Sequence, residues 1–268
     1  MVNFNKKKSK TAQVTRIYDR IIILKEKSMV LMEGITHFEK LNKILISEIK
    51  NIQCFNLATD ISSLNKTIDK FNFEKIYDQV LDFHEFVSDN FDFDKIYKEN
   101  GKYNILLNER FKTKESMCIK WEKNLKRKIP LNKVCNDTFA LRVVVPFSRN
   151  TISEIVKKQF SNSSDKIINY YWKTKSIDDG YRGIHVYLKN NPRCFRVEIQ
   201  YWNREDAILN FYTHEVIYKR VVNGEISSFI GEVNEYSLAL RRWIEQIPEK
   251  PNKLDKSFID FWYEQFTE

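Results

Sequence analysis

Glycine and proline are scarce in this chain, six and five among 268 residues, and no segment is rich in either. That excludes collagen-like repeats and linker-dominated architectures. The four cysteines, Cys54, Cys118, Cys135 and Cys194, contain no C-x-x-C pair, which argues against a disulfide framework and for the reduced thiols of a cytoplasmic chain. Four scattered histidines offer no metal-ligand pair, and neither G-x-x-x-x-G-K-[ST] nor G-x-S-x-G occurs, so zinc-hydrolase, P-loop and serine-hydrolase readings fall away. No apolar run reaches the ~18 residues needed to span a bilayer. The opening MVNFNKKKSK is not followed by the apolar core of a secretory leader. What is present is 42% hydrophobic and 14% aromatic residues, enough for a sizeable core, and a net charge of +9. Such an excess points to a polyanionic partner: nucleotide phosphates, RNA or a membrane surface.

Apolar groups between residues 14 and 57 (Val14, Ile17, Ile21, Leu24, then Leu31, Ile35, Leu41, Ile44, Leu45) recur at helical intervals and predict one or two long helices. Residues 73–100 continue in helical style to Gly101, and NFEKIY and DFDKIY echo each other without a fixed repeat. The basic stretch from residue 110 also reads as helix. The period then changes. TFALRVVV (138–145) and IINYYWK (167–173) read as strands around a short helix, TISEIVKKQF (151–160). GIHVYLK (183–189) and CFRVEIQYW (194–202), joined by the turn NNPR, predict a hairpin before helix returns. The fold class is α+β, with a helical extension over 1–104, a core over 105–222 and C-terminal helices over 223–268.

Two thirds of the charge excess lies in RFKTKESMCIKWEKNLKRK (110–128), with eight basic side chains against two acidic ones. If a helix starts near Thr113, Ser116, Lys120 and Lys123 share one face, and Arg110 and Lys112 stand at its mouth. That row suits a polyphosphate, although a solvated amphipathic helix would show the same spacing. Asp137 precedes an apolar strand, where a carboxylate meets Mg²⁺ and nucleotide or simply caps a turn. Arg142 within that strand needs a partner. Glu198 and Gln200 alternate with Val197, Ile199 and Tyr201, so one strand face is polar. DDGYRGIH (178–185) sets two of the six glycines beside Tyr181 and His185; it is either a ligand-approaching loop or a plain turn.

In order, R-x-K-T-x-E-S-x-x-x-K, N-D-x-x-A-x-R-V, D-G-Y-R-G-I-H, V-E-I-Q and H-E-x-x-Y-K (214–219) resemble the RelA/SpoT synthetase family, most of all its small alarmone synthetases. The likeness covers about residues 105–220. It implies a mixed-sheet, nucleotidyltransferase-like core that transfers pyrophosphate from ATP to the 3′-hydroxyl of GTP or GDP, giving (p)ppGpp. By this resemblance Arg110 and Arg142 would flank the adenine, and Lys112, Ser116, Lys120 and Lys123 would hold the ATP phosphates. Asp137 would hold Mg²⁺ with Glu198, which would also act as base. Tyr181 would stack on guanine, with His185 and Gln200 on the acceptor side.

The chain departs from the pattern in places. Lys123 stands where many relatives have Arg, NYYWKTKSID lacks the family's Pro, and the guanine-reading Asn has no clear match beyond Asp206 or Asn210. No His-Asp dipeptide occurs, so alarmone hydrolysis is not expected. Some family members modify the 3′ end of tRNA, and KNLKRK would suit a phosphate backbone. A non-catalytic RNA-binding module is the reading from another class, and homo-oligomers are compatible with everything above.

Overall fold

The computed structural model describes residues 3–161, 166–171 and 181–211. The motif at 214–219, the helices expected over 223–268, the start of DDGYRGIH and the end of IINYYWK lie outside the described residues. Seven helices and five strands are described: α1 (Asn3–Ile52), α2 (Phe73–Asn90), α3 (Phe93–Tyr97), β1 (Leu106–Phe111), α4 (Lys114–Leu125), α5 (Leu131–Val134), β2 (Phe139–Val145), α6 (Arg149–Gln159), β3 (Lys166–Tyr170), β4 (Ile184–Leu188), β5 (Val197–Asn203) and α7 (Arg204–Phe211). The architecture is α+β, as the sequence pattern predicts.

The amino-terminal periodicity resolves into a single 50-residue helix. Phe38, Leu41, Leu45, Ile49 and Ile52 form its buried stripe, at helical spacing. The helical stretch after residue 73 breaks at Phe91–Asp92, and the echo in the sequence explains why. NFEKIY and DFDKIY are two copies of one helix start: the Asn72 side chain accepts from the Lys75 N–H at 3.1 Å, and Asp92 from the Lys95 N–H at 2.8 Å. In each case the Ile that follows is buried.

The strands form one sheet in the order β1-β2-β5-β4-β3. β2 and β5 are parallel, and the other neighbours are antiparallel. The hairpin predicted around NNPR is β4–β5. β1 corrects the sequence reading: Arg110 and Phe111 belong to a strand, not to the basic helix. LLNERF has no β-branched residue and is extended because β2 supplies a full antiparallel ladder for it.

Register makes the sheet two-faced. Leu141, Val143, Ile199, Tyr201, Val186 and Ile184 point into the core, where they meet the stripe of α1 and Val80 and Phe83 of α2. The opposite face carries Arg110, Arg142, Glu198, Gln200, His185 and Tyr187. A small second cluster, Leu106, Val144, Trp202 and Ala207, closes one end of that face.

Tyr201 ties the sheet to α1, since its hydroxyl donates to Oδ1 of fully buried Asn42 at 2.7 Å. Tyr201→Phe leaves that oxygen without its donor. We expect a loss of about 1–3 kcal/mol in urea unfolding, with the circular dichroism spectrum unchanged.

Candidate active site

The chain enters β2 through Asn136 and Asp137, and α4 lies alongside. Thr113 caps α4 by accepting from the Ser116 N–H, so the helix begins where Lys112 leaves β1. Two ammonium groups then converge on one carboxylate. Lys112 Nζ donates to Asp137 Oδ2 at 2.8 Å and Lys120 Nζ to Asp137 Oδ1 at 2.9 Å; Lys120 also donates to the Asn136 side chain. Ser116 on the same helix face is half-buried, and Lys123 is exposed. Among the described residues, Arg110 and Lys123 have no carboxylate partner. From α2, His84 reaches the Thr138 carbonyl at 2.9 Å and steadies this strand entry. Burial holds its imidazole below the usual histidine pKa.

The local charge does not balance. Burial pushes the Asp137 carboxyl up, but Lys120 and Lys112 outweigh it and hold the pKa well below the usual carboxylate range. Lys112 is only 5% exposed. Burial lowers its pKa, Asp137 raises it, and the neighbouring charges of Lys120 and Arg110 lower it further, so the net direction is down. The two ammonium groups hold Asp137 ionised, but this one carboxylate does not offset the burial of Lys112 and the neighbouring charges of Lys120 and Arg110. Positive charge is in excess in a largely desolvated place, the condition that favours an anionic ligand.

Beside this cluster the polar sheet face holds a closed ring of side chains. Arg142 Nε donates to Gln200 Oε1 at 3.2 Å, and Gln200 Nε2 donates to Glu198 Oε2 at 2.7 Å. His185 Nδ1 lies 2.7 Å from Glu198 Oε1, and its Nε2 meets the Tyr181 hydroxyl. Trp202 Nε1 donates to that hydroxyl at 2.7 Å, and the Arg142 guanidinium lies over the Trp202 ring at 4.0 Å. Because the Tyr181 oxygen already accepts from Trp202, its own proton is directed at His185 Nε2. In the neutral imidazole the Nδ1–H then faces Glu198. Burial raises the Glu198 pKa, and His185 more than offsets it; Asp137 opposes ionisation, the Tyr187 hydroxyl favours it, and the net shift is downward. The two carboxylates thus share one electrostatic environment.

Arg142 accordingly has the partners its strand position demands, and the polar face of β5 is not a solvated surface, for Glu198 and Gln200 are 4% and 7% exposed. Arg110 lies on the same sheet face as Arg142, one diagonal step away across β1 and β2. Asp206 and Asn210, which the sequence leaves as candidates for base reading, do other work. Asp206 makes a two-pronged ion pair with Arg149 at 2.8 and 2.6 Å, and Asn210 brackets the backbone of Arg182, accepting from its N–H and donating to its carbonyl. Three site residues escaped the sequence reading: Trp202, Tyr187 and Asn136. The first two were legible by alternation, two positions beyond Gln200 and His185.

Among the described residues, no three His, Cys, Asp or Glu side chains converge as a metal cluster. Asp137 and Glu198 are hard oxygen donors, however, and Mg²⁺ commonly takes one or two carboxylates together with substrate phosphates. The residues fit such an ion.

Residues 109–223 match the family model described as the region found in RelA / SpoT proteins. No curated protein sequence matches the chain. Among solved structures it is similar to small alarmone synthetase 1 from Bacillus subtilis bound to its product pppGpp, at 21% identity over 53% of this chain and 76% of that one, with TM-score 0.34. It is also similar to a GTP pyrophosphokinase family protein from Streptococcus pneumoniae, at 21% identity over 53% and 74% with TM-score 0.35. Small alarmone synthetase 2 from Bacillus subtilis is 19% identical over 70% and 95%, again with TM-score 0.35.

Two tests follow from the geometry. Asp137 has a depressed pKa, so its pairing stabilises the fold above the unfolded value of 3.8 and is lost as pH falls through the folded one. Asp137→Asn should cost about 1–3 kcal/mol near neutrality, and the gap to the parent should narrow as urea melts are taken from about pH 6 to about pH 3. A methyl on Gly183 would lie 2.9 Å from Trp202 Cδ1 and 3.1 Å from the Tyr181 oxygen. Gly183→Ala should displace the indole, shift its fluorescence and reduce activity about tenfold or more while leaving a folded protein.

Proposed function

We propose that the chain transfers the β,γ-diphosphate of ATP to the 3′-hydroxyl of a guanosine nucleotide. One observation carries this reading: a buried, ionised carboxylate, Glu198, stands on the polar face of a RelA/SpoT region beside a cation cluster with more positive charge than its single carboxylate Asp137 offsets. In the reaction the acceptor 3′-oxygen bonds to the β-phosphorus as the bond from that phosphorus to the α–β bridging oxygen breaks. AMP leaves with the bond's electrons.

Glu198 takes the 3′-hydroxyl proton, and Gln200 and His185 orient its two oxygens. Lys112, Lys120 and Lys123, with Ser116, hold the phosphates, and Arg110 and Arg142 flank the adenine. Tyr181 offers the guanine a ring whose hydroxyl is already fixed by Trp202 and His185. A bound Mg²⁺, held by Asp137 with Glu198, supplies charge neutralisation at the phosphates.

The test is to incubate the chain with γ-labelled ATP and, separately, GDP, GTP, GMP or tRNA, and to resolve the labelled product. Label on GDP or GTP is expected. Label confined to tRNA would replace the mononucleotide reading with the tRNA one, and no label on any acceptor would refute transfer. Glu198→Gln should lower turnover by roughly 10²–10⁴-fold, and EDTA should abolish it until Mg²⁺ is restored.

A further inference from the structure

Away from the sheet's polar face, residues 57–76 run from the end of α1 to the start of α2, and they line an open cleft of about 550 Å³. That volume is in the range of small-ligand sites. None of its lining residues belongs to the candidate active site or to the RelA/SpoT region.

The cleft wall is held rigidly. Ile61, Leu64 and Ile68 are buried in the core. Leu64 N–H donates to the Pro192 carbonyl at 2.8 Å and Ile68 N–H to Ile129 at 3.0 Å, while the Lys66 carbonyl accepts from Leu131 N–H at 2.9 Å. Arg193 in the β4–β5 turn adds a bond to the Leu57 carbonyl at 2.7 Å.

Three lysines, Lys66, Lys70 and Lys75, line this cleft against a single carboxylate, Asp60. Lys75 is paired with Asp60. Lys70 has only Asp69, 4.0 Å away and outside the lining, and Lys66 has no carboxylate partner among the described residues. Asn72, also in the lining, caps the 18-residue helix α2, whose amino end adds partial positive charge. Half-buried Phe71 contributes an aromatic surface to the interior.

Three ammonium groups against Asp60 in the lining, with Asp69 4.0 Å from Lys70 behind it, leave net positive charge around a concavity of this size, which suits a compact anion. We infer that this cleft is a second ligand site, selective for a di- or triphosphate group, either inorganic or carried by a nucleotide. Lys66, Lys70 and Lys75 supply the charge, and Phe71 is the surface on which a base would rest. The cleft's volume matches a small ligand, which it favours over a folded RNA. The inference is independent of the transfer reaction proposed above.

Site-resolved lysine labelling tests it on the whole chain. Acetylation of each lysine is followed by mass spectrometry, without ligand and with inorganic pyrophosphate, ADP, AMP or tRNA. We expect pyrophosphate or ADP at about twice its Kd to slow labelling of Lys66 and Lys70 threefold or more, and AMP to do much less. Equal protection by pyrophosphate and ADP assigns the site to the phosphates alone; stronger protection by ADP assigns it to a nucleotide. In Lys66→Glu/Lys70→Glu, an exposed pair whose replacement should not disturb folding, protection of Lys75 should vanish while that of Lys120 persists. Unchanged labelling at Lys66 and Lys70 in millimolar pyrophosphate and ADP would overturn the inference, whatever happens at Lys120. So would protection of Lys75 that survives in the double variant, or protection by tRNA alone.

Discussion

Glu198 lies 4% exposed on the central strand of the sheet, and a carboxylate so placed stays ionised only while donors replace the water it has lost. The polar face is organised around that requirement. Gln200 supplies one donor and His185 another; Gln200 in turn accepts from Arg142, and His185 is oriented by Tyr181. Arg142 and Tyr181 then meet again through Trp202. Removing any member leaves a neighbour unsatisfied, so the ring behaves as one unit. The apolar face of the same strands, packed on α1 and α2, supplies the rigidity that keeps these distances fixed.

α4 joins this arrangement to the rest of the molecule. Met117 and Trp121 anchor it in the core, which leaves Lys120 on the flank of the helix, aimed at Asp137. Its carboxyl end runs into residues 129–131, which are bonded to Lys66 and Ile68 of the lysine-lined cleft. The lysine cluster at the entry to β2 and the lysine-lined cleft are thus joined through α4 and the backbone pairing of residues 129–131.

Much of this was legible in the sequence because the relevant patterns are local. The period-two alternation over Val197–Tyr201 gives the two faces of β5, and a lone arginine in TFALRVVV demands a partner, which Gln200 and Trp202 provide. Thr113 is an ordinary helix cap, so the face of α4 follows from counting. β1 was not legible, since LLNERF has no β-branched residue and owes its extension to pairing with β2. Nor were the roles of Asp206 and Asn210, both polar residues on a short helix. Their burial depends on Arg149 and Arg182, 57 and 28 residues away in the chain, and no spacing rule records contacts of that kind.

The parallel pairing of β2 with β5 sets the order in which the site can be assembled. The antiparallel β4–β5 pair closes locally through an eight-residue loop, but Arg142 and Gln200 are 58 residues apart and meet only when the intervening chain has been looped back. Closing a long loop costs chain entropy before any contact repays it, so this pairing belongs to the late steps of folding. During synthesis β2 precedes β5 by more than fifty residues, so β1 is available to pair with β2 before β5 is, and the polar face is completed last.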